Sequence, residues 1–152
     1  IHIEMKKEYM SDLLELLETE VPELRWIDAD EGQLDYYTDE RPPVAWPCCL
    51  VEFSMPDTRD LSSMVTVPQR CTLRAVLTIA FNDCASLNTR TPKSVRDTAL
   101  KRFDLLEKIK QTIHGRWFDH FQQPYMRRSC VPLKREDGLK VYEMAFEAAV
   151  IE

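Results

Sequence analysis

Acid–base chemistry in proteins leans on histidine, and this chain has three: His2, His114 and His120. His120 follows Asp119, a pairing that could orient an imidazole as a base. No serine or cysteine is placed by the sequence as its nucleophile. His114 falls where a helix should end, and a cation there would meet the negative end of the helix dipole. His2 lies at the very start of the chain. Metal ligation is no better served. Asp28-x-Asp30-x-Gly32 opens like a calcium loop, which needs an oxygen ligand at its fifth position, glycine at its sixth and glutamate at its twelfth. Here Gly32 is fifth, Gln33 is sixth and Asp39 is twelfth. The cysteines, Cys48, Cys49, Cys71, Cys84 and Cys130, form no Cys-x-x-Cys clamp. Their odd number and the adjacent Cys48–Cys49 pair read as reduced thiols, most of them buried in apolar runs. A metal-dependent nuclease would set carboxylates and a lysine on a sheet, and Pro56-Asp57 could open such a motif. The one Glu-x-Lys, Glu4-Met5-Lys6, lies upstream and in a helical stretch. With three glycines in the chain, neither a GxGxxG nor a GxxxxGK[ST] phosphate loop can be written. The expectation is a protein without catalytic, cofactor-binding or metal-binding residues.

The elements that would position any site follow from periodicity. Residues 3–20 read as a helix, with Met10, Leu13, Leu14, Leu17 and Val21 recurring at three and four, and Pro22 ends it. Residues 22–46 form a long acidic connection closed by Pro42, Pro43 and Pro47, with room for a short strand at Leu24–Ile27. Residues 48–54 read as a buried strand, 55–69 as a polar loop, and 70–81 as a strand. In that strand Cys71, Leu73, Ala75, Leu77, Ile79 and Phe81 share one face. Val76 and Ala80 interrupt the opposite, polar face and suggest that it is partly covered. Residues 92–114 carry the helical stripe Val95, Ala99, Phe103, Leu106, Ile109 and Ile113, with Pro92 near the start and Gly115 past the end. Residues 116–126 read as an aromatic loop. Residues 127–134 and 140–151 read as a hairpin around Glu136-Asp137-Gly138. The order predicts a single α+β domain over 1–152: a two-layer sandwich with two helices on one face of a mostly antiparallel sheet of four to five strands.

Charge is unevenly placed on this scaffold. The net charge is −6. Residues 28–40 contain Asp28, Asp30, Glu31, Asp35, Asp39 and Glu40 and no base, whereas residues 90–140 are strongly basic. Lys101, Arg102, Lys108, Lys110, Arg127, Arg128, Lys134 and Arg135, interleaved with Trp117, Phe118, Phe121 and Tyr125, could touch a nucleic-acid backbone. The global acidity argues against specific nucleic-acid binding. Association fits better. Trp26, Tyr36, Tyr37, Trp46, Trp117 and Phe118 fall in expected loops, where aromatics either cover sheet ends or form protein interfaces. If the acidic and basic stretches lie on opposite flanks, copies can dock head to tail, a contact that closes into a ring when the rotation permits. The candidate interface is therefore Trp26, Asp28, Asp30, Glu31, Asp35, Tyr36, Tyr37, Trp46, Trp117, Phe118, Arg127 and Arg128. No apolar run approaches the length of a membrane span. The chain begins at Ile1 rather than Met, which reads as a trimmed start and leaves a removed leader open.

The layout resembles the tail-terminator and tail-completion (minor tail) proteins of long-tailed bacteriophages. The resemblance rests on element order: an N-terminal helix, a proline- and aromatic-rich connection, the strands Pro47–Ser54 and Arg70–Phe81, the Val95–Ile113 helix with its Gly115 turn, and a final hairpin ending in Val141–Ile151. It implies a structural, non-enzymatic subunit that needs no cofactor. Such a subunit forms a ring, typically a hexamer, that caps the tail tube and joins it to the head–neck complex. It would assemble in the bacterial cytoplasm and then reside in the virion tail, with DNA passing through its channel. The 22–46 loop is longer and more acidic than that pattern. An adaptor domain outside phages, or a small hydrolase or nuclease using Asp119–His120 or the acidic loop, are the alternative readings.

Overall fold

The computed structural model describes residues 6–63 and 67–152. Its elements in chain order are α1 (Lys7–Glu20), β1 (Trp26–Ala29), β2 (Cys48–Asp60), β3 (Gln69–Phe81), α2 (Lys93–Ile113), β4 (Phe121–Leu133) and β5 (Lys140–Ile151). The strands form one open sheet in the order β1-β2-β3-β5-β4. β1 runs parallel to β2, and every other neighbouring pair is antiparallel. This is the expected α+β arrangement, with five strands.

The strict alternation of β3 gives the sheet its two faces. Cys71, Leu73, Ala75, Leu77, Ile79 and Phe81 are all buried, and they meet Met144, Phe146, Ala148 and Val150 of β5 in the same layer. Both helices lie on this face: Tyr9, Leu13 and Leu17 of α1 and Leu105, Leu106, Ile109 and Ile113 of α2 belong to the same core. Each fully buried Leu or Ile there contributes about 1.5–3 kcal/mol of transfer free energy. The α2 stripe differs from the sequence pattern at two positions, because Val95 and Phe103 are exposed. Phe103 instead sets its ring edge-on to Tyr142 at 6.2 Å. Arg102 takes the inward place, only 3% exposed, bonded to both carboxylate oxygens of Asp83 and to the Ala85 carbonyl.

Among the described residues, the opposite, outer face is covered at one end only. Leu34, Val44, Trp46 and Leu139 pack over Cys48, Leu50, Ala80 and Val141, so the 30–46 connection folds back as a cap on the sheet. The interruption at Ala80 marks this cover. Val76 is half-buried farther along the face.

Several boundaries differ from the sequence expectation. The part of the first helix expected at 3–5 lies outside the described residues, and the short strand falls at Trp26–Ala29 rather than Leu24–Ile27. The polar loop expected at 55–69 is strand as far as Asp60. A bulge between Ser54 and Asp57 absorbs Pro56, which has no N–H for a ladder. The aromatic loop expected at 116–126 is strand from Phe121. Three register shifts in β4 break the period-2 pattern there, and Gln122 and Gln123 hide the strand further. Of the thiols, Cys48, Cys49 and Cys71 are buried, while Cys84 and Cys130 are exposed and all five are reduced.

Candidate functional site

Asp119 and His120 are both exposed, and neither donates a hydrogen bond to the other among the described residues. His120 adopts a left-handed backbone (φ 69°) as the chain turns into β4. His114 caps the end of α2. Its Nδ1 accepts the backbone N–H of Arg127 at 3.0 Å, tying the helix end to β4. Among the described residues no three His, Cys, Asp or Glu side chains converge as a metal site.

The acidic loop is built from its own carboxylates. Asp28 Oδ1 accepts the Ala29 N–H at 2.8 Å, and Asp28 Oδ2 accepts Gln33 Nε2 at 3.2 Å. Asp30 Oδ1 accepts the Gly32 N–H at 3.0 Å, an Asx turn, and Asp30 Oδ2 accepts the Thr78 hydroxyl at 3.5 Å. Gln33 Oε1 accepts the Glu31 N–H at 2.7 Å. Gly32 holds φ 80°, and a Cβ there would come within 2.6 Å of Tyr36 Cδ2, so the ring lies against the glycine. Only glycine satisfies both demands. The residues resembling a calcium loop thus turn the chain.

One basic side chain fastens this loop to the β4–β5 hairpin. Arg135 donates to Asp35 Oδ1 at 2.7 Å, to the Leu34 carbonyl at 2.8 Å and to Asp137 Oδ2 at 2.7 Å. The bond from Arg135 is the first cause holding the Asp137 carboxyl below its ordinary range. Asp35 therefore pairs within its own chain.

The candidate interface residues separate into two groups. Trp26, Asp28, Asp30, Glu31, Asp35, Tyr36, Tyr37 and Trp46 gather at the β1 end. Trp26, Tyr37, Pro42, Pro43 and Trp46 line an open cleft there of about 780 Å³. Trp46 is a cover for the outer face, whereas Trp26 (39%) and Tyr36 (85%) remain exposed. Trp117, Phe118, Arg127 and Arg128 lie at the β4 edge, the opposite end of the strand order. Phe118 packs into the core against Phe121 and Tyr125. Trp117 is 59% exposed, and its indole N–H donates to the Phe121 carbonyl at 3.1 Å. Arg127 pairs in register with Phe146 on the helix side. Arg128 joins Glu147 at 3.3 Å, and Glu147 also meets Arg74 at 3.6 Å.

Sequence reading missed a second part of the surface. The outer face far from the loop carries Arg70 and Arg74, and its groove of about 210 Å³ is lined by Arg59, Arg70 and Arg128 with Asp57 and Glu147. The Arg70-x-Thr72-x-Arg74 alternation carried the signal. Arg59 was hidden by the loop expectation for 55–69. No helix among the described residues is long and apolar enough to cross a membrane. Comparison with protein-family models gives no match. No curated protein sequence matches the chain either.

Proposed function

We propose that the protein is a structural assembly subunit of the tail-terminator kind, acting by association rather than catalysis. The observation that supports this most is the open sheet with unlike ends. β1 leads into a −6 loop with exposed Trp26 and Tyr36, and β4 at the other edge carries Arg127 and Arg128. Unlike, complementary ends favour a heterologous contact, in which each copy presents one surface forward and the other back, and such contacts close into rings. In that reading a ring, on the family pattern a hexamer, caps the tail tube and offers a surface to the head–neck proteins, and its mechanism is steric. Light scattering at high micromolar concentration tests it. The expected result is a closed oligomer, six 17.8 kDa subunits on the family pattern. A chain that stays monomeric across concentration and at low salt refutes it.

A further inference from the structure

We propose that the groove beside Arg59 and Arg70 on the outer sheet face receives the acidic 28–40 loop of a second copy. The inference rests on the association reading above and names its two surfaces.

Like charges crowd this part of the sheet. Arg59 and Arg70 are directly opposite one another in the β2–β3 register. Like charges in that position repel. Asp57 reaches Arg59 only at 3.7 Å, with both side chains largely exposed. Arg70 makes no hydrogen bond or ion pair among the described residues. Glu147 is already shared by Arg74 and Arg128. Three arginines, Arg59, Arg70 and Arg128, therefore share this groove with two carboxylates, and an incoming acid relieves the repulsion.

The loop sits over Ala80 of β3, and the arginine pair includes Arg70 of the same strand. Ten residues of strand separate them, about 30 Å. A loop held by Arg135 at one end of the face does not reach the groove at the other, so its partner is another molecule. Bonds within the loop engage Asp28 and Asp30, and the Arg135 clamp engages Asp35. Glu31, Asp39 and Glu40 are exposed and form no ion pair among the described residues. Three outward acids thus meet an arginine-rich groove. A nucleic-acid backbone is the less suitable anion, because the chain as a whole carries −6 and repels a polyanion.

A charge-swap experiment tests this. One variant carries Arg59→Glu and Arg70→Glu; the other carries Glu31→Lys, Asp39→Lys and Glu40→Lys. All five side chains are exposed, and circular dichroism with thermal melting verifies folding. If the acidic groove variant melts early, Arg59→Gln with Arg70→Gln replaces it. Each variant alone should weaken association by roughly tenfold or more. Mixing the Glu groove and Lys loop variants should restore it, since each then meets an opposite charge. Wild type that associates while both variants associate equally well overturns this inference and leaves the association reading intact. A monomeric wild type at low salt overturns both. Salt-sensitive retention on duplex DNA that the groove variant loses, with association unchanged, makes the groove a nucleic-acid site and overturns the proposal.

Discussion

Replacing Arg135 by Met removes the guanidinium and keeps an apolar stem, so it isolates the clamp between the acidic loop and the β4–β5 hairpin. The loss is worked from its partners. Bonds to charged groups contribute about 1.5–3 kcal/mol each when sheltered. Here Asp35 is 58% exposed and Asp137 35% exposed, so both acids regain water when released and each pair falls toward the surface value of about 0.2–1 kcal/mol. The Leu34 carbonyl, part-buried, adds about 1 kcal/mol. The total comes to about 2 kcal/mol, and it acts on the loop rather than on the sheet. Hydrogen exchange measures it directly. The Tyr36 amide, bonded to the Gly32 carbonyl at 2.8 Å, should exchange about thirtyfold faster, while Leu77 and Phe146 in the core keep wild-type protection. The acid limb gives a second reading. Asp137 has a lowered folded pKa, so its contribution is present above the ordinary aspartate range and is lost as pH falls through the lowered value. The difference between wild type and variant should therefore shrink in strong acid. An unchanged Tyr36 exchange rate refutes the clamp.

Arg102→Met should destabilise by about 2–3 kcal/mol in urea titration, the lower side of breaking a buried pair because Asp83 keeps partial solvent access. The bond from Arg102 holds the Asp83 carboxyl below its ordinary range, so this loss too should diminish as pH falls through the lowered value; equal losses at neutral and acid pH count against the pair. Thiol titration of the native protein should show Cys84 and Cys130 reacting quickly and Cys48, Cys49 and Cys71 only on unfolding. Burial pushes the Cys48 thiol up to about 12, and five fast thiols would contradict the fold.

The core layer was legible because one face of β3 is apolar at every second residue and the helices repeat at three and four. What escaped was written in longer range. The distal half of β2 looks polar, since its residues from Pro56 to Asp60 are exposed and β1 pairs only with its first four residues. The start of β4 is disguised by bulges. The Arg135 clamp spans a hundred residues of sequence, and no local pattern reports such a pair. Of the candidate interface, Trp26 and Tyr36 are exposed. Trp46 and Phe118 have sheet-covering roles that sequence could not separate from docking, because both explanations ask for an aromatic in a loop.

The chain around β4 bears on how copies can join. The Phe121 carbonyl is occupied by the Trp117 indole, and the Arg127 amide by His114. Tyr125 exchanges backbone bonds with Gly115 and Arg116. Pro124 and Pro132 offer no amide at all. The strand's outward backbone is thereby blunted over its first half and interrupted beyond. A neighbour cannot extend the ladder along that half, so runaway fibre growth by strand addition is blocked there. In the association proposed above, contacts along that half would fall to side chains, whose charge pairs dissolve and re-form with ionic strength. A ring of the proposed kind, joined by such contacts, would be able to correct a misplaced subunit before it closes.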